Sequence, residues 1–527
     1  MQLDNIRFSK ETLISALAML NITQDNDFYD AAHLEGINNI SLNSRSVNSA
    51  TIFVALQGTN ANGHDYIDDA ISRGCKLVLC EQPKTIQGDI ARVITVSKLK
   101  GRLPIFLKAL YLKSAQQTQV TAVTGTNGKT SVAYLYAQLA LSTVSASASL
   151  GTLGLRKCSK TYSENSQHER LEHIHIDSLC DSINTTPDII SQFKVLSLLA
   201  EQNILNYCLE ASSHGIEQQR LQGMPINCAI FTNLTQDHLD YHGDMATYGA
   251  AKRGLLNIDE LQYVVVNADD PESSKWQKDA DARVKIAWFS IEEKSEINQL
   301  EYFAQAKNIQ ANASGTSFDL YSTWGERRVH LPLLGRFNVA NFLAALCAHL
   351  MQGRNLNSLL DMTSLIKGVP GRMELFSTLA NKGNFIVDYA HTPDALQQAL
   401  QAARMHTNGQ LVCVFGCGGN RDVTKRPLMG QAASQYSDML VLTQDNSRDE
   451  EPELIIKDIQ KGLNNSTPIH VELDRKKAIR WAWNHSNKAD LILLAGKGHE
   501  DYVEIKQQRI TYDERAYAQQ ICAEVAS

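Results

Sequence analysis

No run of apolar residues in this 527-residue chain is long enough to span a bilayer. Its first ten residues, MQLDNIRFSK, have no apolar core of the kind a secretory signal needs. Membrane and export readings therefore fall away, and a cytoplasmic protein is expected. There is no excess of positive charge either, since the formal net charge is −7. That disfavours a nucleic-acid protein held by a broad basic surface, and with it a nucleic-acid-dependent ATPase, while leaving room for an anionic substrate met by local arginines. None of the ten cysteines stands in a C-x-x-C pair matched by a second one downstream. A structural zinc site is not expected, and the thiols read as reduced and mostly buried. Internal repeats and low-complexity tracts are also missing.

What is present is an ordinary globular balance, 43% hydrophobic and 20% charged, and a length that suits about three domains. Three regions separate on pattern: 1–115, 116–367 and 368–527. The first has short apolar runs (TIFVAL, CKLVLCE) between turn-rich pieces such as QGTNANGHDY. The second alternates strands and helices, and the third repeats an apolar strand followed by a polar, Gly-rich loop: NFIVDYAHTPD, LVCVFGCGGNRD, MLVLTQDNSRDE and LILLAGKGHED. The expected class is α/β with largely parallel sheets, with ligands beyond the C-terminal strand ends.

The clearest chemical signal is TAVTGTNGKTSV. A β-branched strand runs into Gly128-Lys129-Thr130 and then into a helix-patterned segment, so loop N–H groups and a helix N-terminus can hold an anion. Lys129 would pair with phosphate and the Thr130 hydroxyl would reach Mg²⁺. The usual phosphate loop has a glycine where this chain has Val123; Gly125 follows instead. Such a site needs an acidic residue at a neighbouring strand end, and Glu210 in NYCLEASSHG fits. Asp237, His238, Asp240 and His242 crowd another strand end, in TQDHLDYHG; residue types alone leave that cluster open between a site and a polar turn. Arg421, Arg448, Lys497, His499 and Glu500 lie in the loops of the third region, which suggests one lined cleft. The segment 156–183, with His168, His173 and His175, reads as a solvated loop or hairpin rather than a metal site.

Taken in order, GTNGKT, EASSH, DHLDYHG with TYGAAK, LGRFNVANFLAA, DYAHTPD and GKGHED resemble the Mur ligases over nearly the whole chain, and within them the MurE type, which adds the third residue of the peptidoglycan peptide. The resemblance implies a UDP-sugar-binding α/β domain, a central P-loop ATPase-like domain and a C-terminal Rossmann-like domain. It implies a ligase that phosphorylates a carboxylate of UDP-N-acetylmuramoyl-L-alanyl-D-glutamate with ATP and lets the amine of meso-diaminopimelate attack the acyl phosphate. An L-lysine-adding ligase of the same type, or a non-catalytic nucleotide-binding protein of the same fold, are the competing readings. A monomer is expected, without nucleic-acid or membrane partners.

Carried over by position, ATP falls to Gly125, Thr126, Asn127, Gly128, Lys129, Thr130 and Ser131, with Asn338, Asp388 and His391. Mg²⁺ falls to Thr130 and Glu210, and a second ion to His238 and Lys252. The resemblance makes Lys252 a carbamate; residue type alone would make it a solvated helix lysine. The UDP-sugar side falls to Leu42, Ser44, Thr59, Asn60, Ala61, Asn184, Thr185, Thr186, Ser212, Gln218 and Arg220. The incoming amino acid falls to Arg421, Asp445, Asn446, Ser447, Arg448, Gly496 and Glu500. Family members that use diaminopimelate carry Asp-Asn-Pro-Arg where this chain has Asp445-Asn446-Ser447-Arg448. Proline is lost and the arginine is kept, so a bidentate pair with a distal carboxylate stays available.

Overall fold

The structure is a computed structural model and describes residues 6–20, 34–58, 61–86, 91–112, 118–162, 171–180, 184–235, 238–312, 314–378, 381–464, 466–506 and 508–524. Two compact units divide the chain: Met1–Ala287 with Ala344–Arg354, and Trp288–Leu343 with Asn355–Ser527.

The first unit holds two sheets. Short β-branched runs form a four-stranded parallel sheet, Asn39–Ser41, Thr51–Ala55, Leu77–Cys80 and Arg92–Thr95, in that order. Its inner face buries Phe53, Val78 and Cys80. In the larger sheet, Gln119–Thr124 lies between Asn206–Glu210 and Ile226–Phe231, all parallel, with Val123 opposite Glu210 and Thr124 opposite Phe231. Every strand face here is covered, so these strands read as near-continuous apolar runs rather than alternating ones. Because the three strands share direction and register, Gly125, Ala211 and Thr232 leave the sheet at one edge. The helix Lys129–Ala140 follows the first of them. Farther along the sheet, Gly154–Tyr162 and Leu171–Cys180 form an antiparallel hairpin. Of the loop or hairpin left open for 156–183, the described residues take the hairpin.

The second unit holds an antiparallel meander, Phe303–Asn312, Gly315–Ser322 and Gly325–Leu331, and a six-stranded sheet. The latter runs Glu374–Phe376, Asn384–Asp388, Leu491–Ala495, Leu411–Phe415, Met439–Leu442, Ile469–Val471; all but the first strand are parallel. Helices cover both faces, one layer packing around Leu396, Leu400 and Ile459 and the other around Ile479, Trp483 and Ile521. The helix Pro393–Arg404 shows why the elements begin where they do: the Thr392 side chain accepts from the Ala395 N–H and proline fills the first turn, where no N–H is needed. Among the described residues no helix is long and apolar enough to cross a membrane.

Candidate functional site

The loop after Gln119–Thr124 is braced from the neighbouring strand end. Asn233 Oδ1 accepts from the Asn127 N–H at 2.8 Å and the Thr232 hydroxyl donates to Asn127 O at 2.6 Å. Lys129 Nζ donates to the carbonyls of Gly125 and Thr126, each at 2.9 Å. Its ammonium therefore sits inside the loop's concavity, where a phosphate chain would meet it.

Glu210 ends the adjacent strand and is 2% exposed. The Thr152 N–H donates to its Oε1 at 2.9 Å, and the Thr152 hydroxyl donates to Oε2 at 3.4 Å. Burial pushes the Glu210 carboxyl up, opposed by Lys129, Thr152 and Thr130. The close approach explains Gly151: a Cβ there would stand 1.9 Å from Glu210 Oε1. A carboxylate and a hydroxyl beside a phosphate loop are hard oxygen donors and fit Mg²⁺. Among the described residues no group of three or more His, Cys, Asp or Glu side chains is set to hold a metal, so a cation at Glu210 would draw further oxygens from bound phosphate and water.

Lys252 corrects the reading by residue type. It is 1% exposed, not solvated. The helix Met245–Arg253 is capped by Asp244, whose side chain accepts from the Thr247 N–H, and it turns Tyr248 and Lys252, one turn apart, to the same side. Lys252 Nζ donates to Gly125 O at 2.8 Å and lies 4.4 Å from the Tyr248 ring centroid. The histidines of TQDHLDYHG divide. His242 is buried with Nε2 2.9 Å from Ser213 Oγ, while His238 is exposed, in the left-handed region (φ 52°), with its ring 5.1 Å from that of His214. Burial, then His238 and His242, hold the His214 imidazole below its usual value. Asp237 lies outside the described residues. In the hairpin, His173 is exposed and His175 pairs with Asp177 at 2.8 Å; His168 lies outside the described residues.

A cavity of about 770 Å³ opens in the first unit. Leu42, Ser44, Ala61, Asn184, Gln218 and Arg220 all line it; Thr59 and Asn60 lie outside the described residues. Thr186 and Ser212 stand behind its wall. The Thr186 hydroxyl donates to Glu210 O at 2.8 Å and lies 3.0 Å from Ser212 Oγ, while Arg220 Nη1 donates to Thr186 O at 2.7 Å. Thr185 Oγ1 sits 3.3 Å from Thr152 Oγ1. The cavity wall and the strand end bearing Glu210 are thus one hydrogen-bonded piece.

In the second unit, the loops after four parallel strands line a pocket of about 290 Å³. Its walls include His391, Arg421, Asp445, Asn446, Arg448, Gly496 and Glu500, with Tyr389 and Lys425. Arg448 has φ 51°, a conformation that costs an L residue on the order of 1 kcal/mol. It is held by backbone hydrogen bonds to the strand Tyr502–Ile505 and its flank: its N–H donates to Glu504 O at 3.0 Å and its carbonyl accepts from the Lys506 N–H at 2.8 Å. Its side chain pairs with Glu504 Oε2 at 2.9 Å and donates to Gly419 O at 2.8 Å. Ser447 is buried, its hydroxyl accepting from Gln444 Nε2 at 3.0 Å. Asp388 and Asn338 are buried and engaged locally. Asp388 accepts from the N–H groups of Met373 and Ala390 at 2.7 and 2.9 Å, and burial raises its carboxyl. Asn338 Nδ2 donates to Leu334 O at 2.8 Å.

Profiles of the Mur ligase family match three stretches: the family's catalytic domain at 36–111, the Mur ligase middle domain at 123–349, and the Mur ligase glutamate ligase domain at 371–498. The chain is 35% identical over 491 residues to a UDP-N-acetylmuramoyl-L-alanyl-D-glutamate–2,6-diaminopimelate ligase of Vibrio vulnificus, covering 92% of this chain and 94% of that protein. The chain belongs to the Mur ligase family. The Vibrio cholerae enzyme of the same name is 36% identical with the same coverage. A solved structure of a ligase of that name superposes with a TM-score of 0.69 at 33% identity, covering 92% of this chain and 94% of the other. The fold is also that of MurF from Acinetobacter baumannii, TM-score 0.59 at 18% identity over 93% of this chain and 96% of the other.

Several residues around these Mur ligase sites escape a reading by motif. Thr152 grips Glu210, Asn233 braces the phosphate loop, and Glu504 pairs with Arg448. Each is a common polar residue at a strand or loop end, and none differs from a solvated surface residue in sequence. Register alone offered a signal for Thr152, since it directly follows the strand beside that of Glu210.

Proposed function

We propose that the chain is an ATP-dependent amide ligase that joins meso-diaminopimelate to UDP-N-acetylmuramoyl-L-alanyl-D-glutamate. The observation that carries this is the second-unit pocket, where Arg421 and Arg448 share the wall with Asp445 and Glu500. Cationic side chains (Arg421, Arg448 and Lys425) beside the carboxylates of Asp445 and Glu500 suit a ligand that is a zwitterion at both ends; L-lysine would bring its distal ammonium to the arginines with no carboxylate to pair. The relatives' names agree with this choice.

A carboxylate is a poor electrophile, so the reaction needs ATP to convert it to an acyl phosphate before the amine attacks. Lys129 and the loop N–H groups would orient the phosphates, and the cavity lined by Leu42, Ser44, Ala61, Asn184, Gln218 and Arg220 would hold the UDP-sugar. Its volume, about 770 Å³, is that of a site for a large ligand. Glu210 and Thr130 would hold Mg²⁺, which when bound supplies charge neutralisation between ATP and an anionic acid. His238 and Lys252 are the proposed second cation site. An ammonium can only donate, so Lys252 would serve there after carbamylation, which supplies oxygen. Asp445 and Glu500 would receive ammonium groups and Arg448 a distal carboxylate.

The test is phosphate release from ATP with Mg²⁺ and the UDP-sugar dipeptide, run with meso-diaminopimelate, with L-lysine and with neither. Release that requires diaminopimelate is the expected result. Release with lysine instead overturns the amino-acid assignment, and no release with either overturns the ligase.

A further inference from the structure

Behind the second-unit pocket lies a lysine that does not line it. Lys497 follows Gly496 at the end of Leu491–Ala495 and is 0% exposed. Its Nζ donates to Asn446 Oδ1 at 2.5 Å and to Tyr502 O at 3.0 Å, and lies 3.3 Å from both Glu500 Oε2 and Asp445 Oδ1. A fully buried lysine is costly, and an apolar residue of the same length would be cheaper if stability were all that mattered. The groups it touches point to another role, because Asp445, Asn446 and Glu500 are pocket walls.

Resting on the reading of that pocket as the amino-acid site, we infer that Lys497 is a positioning residue that sets the orientation of Asn446 and Glu500 and so the selectivity of the pocket. An ammonium only donates, and so does the Glu504 N–H, which reaches the same Asn446 Oδ1 at 2.9 Å. Two donors on one oxygen leave the amide no freedom to flip. Its NH₂ must then point away from them, where Nδ2 donates to Glu500 Oε2 at 3.0 Å. The lysine thus orients one carboxylate through the amide and by direct attraction. It also offsets the negative charge of Asp445, whose carboxyl would be pushed up by burial but is held low by Lys497 and then Arg475. Gly496 belongs to the same arrangement: φ is 112°, and a Cβ would meet Asp445 Oδ2 at 2.4 Å. Without Lys497 the amide oxygen keeps only the Glu504 N–H, Glu500 keeps the amide but loses the neighbouring ammonium, and the pocket gains negative charge that favours a ligand with fewer carboxylates.

Lys497→Met is the test, with KM measured separately for meso-diaminopimelate, ATP and the UDP-sugar dipeptide. The diaminopimelate KM is expected to rise roughly ten- to a hundredfold, the worth of a charged hydrogen bond, with the other two within about twofold. Discrimination against L-lysine narrows. A folded variant with unchanged diaminopimelate KM, or with all three constants raised together, overturns the proposal. Should that variant not fold, Asn446→Asp decides. It keeps one oxygen for Lys497 and replaces the NH₂ facing Glu500 by a repelling oxygen, so the diaminopimelate KM rises if orientation matters and stays put if it does not. Wild-type protein without diaminopimelate-dependent turnover overturns the pocket's assignment itself, a result separable from failure of the lysine's role.

Discussion

The phosphate-loop site of the first unit and the charged pocket of the second are made the same way and do different work. Both occupy loops beyond the C-terminal ends of adjacent parallel strands, with Val123 opposite Glu210 in one and Asp388 opposite Ala495 in the other. The first is mostly backbone, one short loop around the Lys129 ammonium with the buried Glu210 carboxylate beside it. The second is mostly side chains drawn from four separate loops. Phosphate presents the same oxygens in every nucleotide, so a fixed ring of N–H groups suffices. An amino acid is told apart by the distance between its charges, which takes cations and carboxylates set at the right separation. The general site is contiguous in sequence and the selective one is dispersed.

That contrast breaks most visibly if the first site can lose its charged groups. Glu210→Gln is expected to lower phosphate release by roughly a thousandfold, since a buried carboxylate that holds charge in the transition state has no substitute. A parallel shift of the Mg²⁺-dependent thermal stabilisation by ADP should accompany it. Lys252→Ala should cost about a hundredfold or more in turnover, and added bicarbonate should not restore it, because alanine has no amine to modify. Full activity in that variant removes Lys252 from the mechanism. In the second site, Arg448→Ala should raise the diaminopimelate KM by about ten- to a hundredfold and leave that for ATP unchanged; an unchanged diaminopimelate KM ends the assignment.

A smaller effect is one of pH. His349 is fully buried, its ring 3.9 Å from that of Tyr136 and its Nε2 2.9 Å from Tyr136 O, and burial first, then Arg354, hold it well below the usual imidazole value. It stays neutral when folded and takes up a proton when unfolded. The unfolded state therefore binds more protons below the usual value of about 6.5, and stability falls as pH falls below it, by up to about 1.4 kcal/mol per pH unit for one such group. His349→Gln should flatten the loss of thermal midpoint between about pH 7 and pH 5; an unchanged slope assigns that loss to other groups. Smallest of all, Gln444→Ala removes the hydrogen bond to Ser447 and should change the diaminopimelate KM by about threefold, the worth of one neutral hydrogen bond. A larger change would mean that Ser447 steers Arg448. The structure argues otherwise, since the arginine is tied to Glu504 and Lys506 by its backbone and to Glu504 and Gly419 by its side chain.

Much of this was legible beforehand. GTNGKT between a β-branched strand and a helix-patterned run announced its own loop, and parallel α/β sheets followed from apolar runs that end in Gly-rich turns. For 156–183 the alternation left a loop or a hairpin open; its described strands form a hairpin, with His173 exposed and His175 paired with Asp177. Lys252 was misread on residue type alone, because nothing within TYGAAKRG says which side of the helix meets the phosphate loop.

Order along the chain sets what acts over short range: which segments become strands, where helices begin, and the loop whose amides and lysine face one anion. Those depend on neighbours along the chain, through backbone sterics, capping and periodicity. Which charges share a space is settled by packing between distant segments. Thr152 meets Glu210 because two strands pair in register, and Lys497 meets Asn446 because the Leu491–Ala495 and Met439–Leu442 strand ends lie in one sheet and release their loops toward the same pocket. Attraction between a buried ammonium and an amide oxygen 51 residues away exists only once folding has removed the water between them.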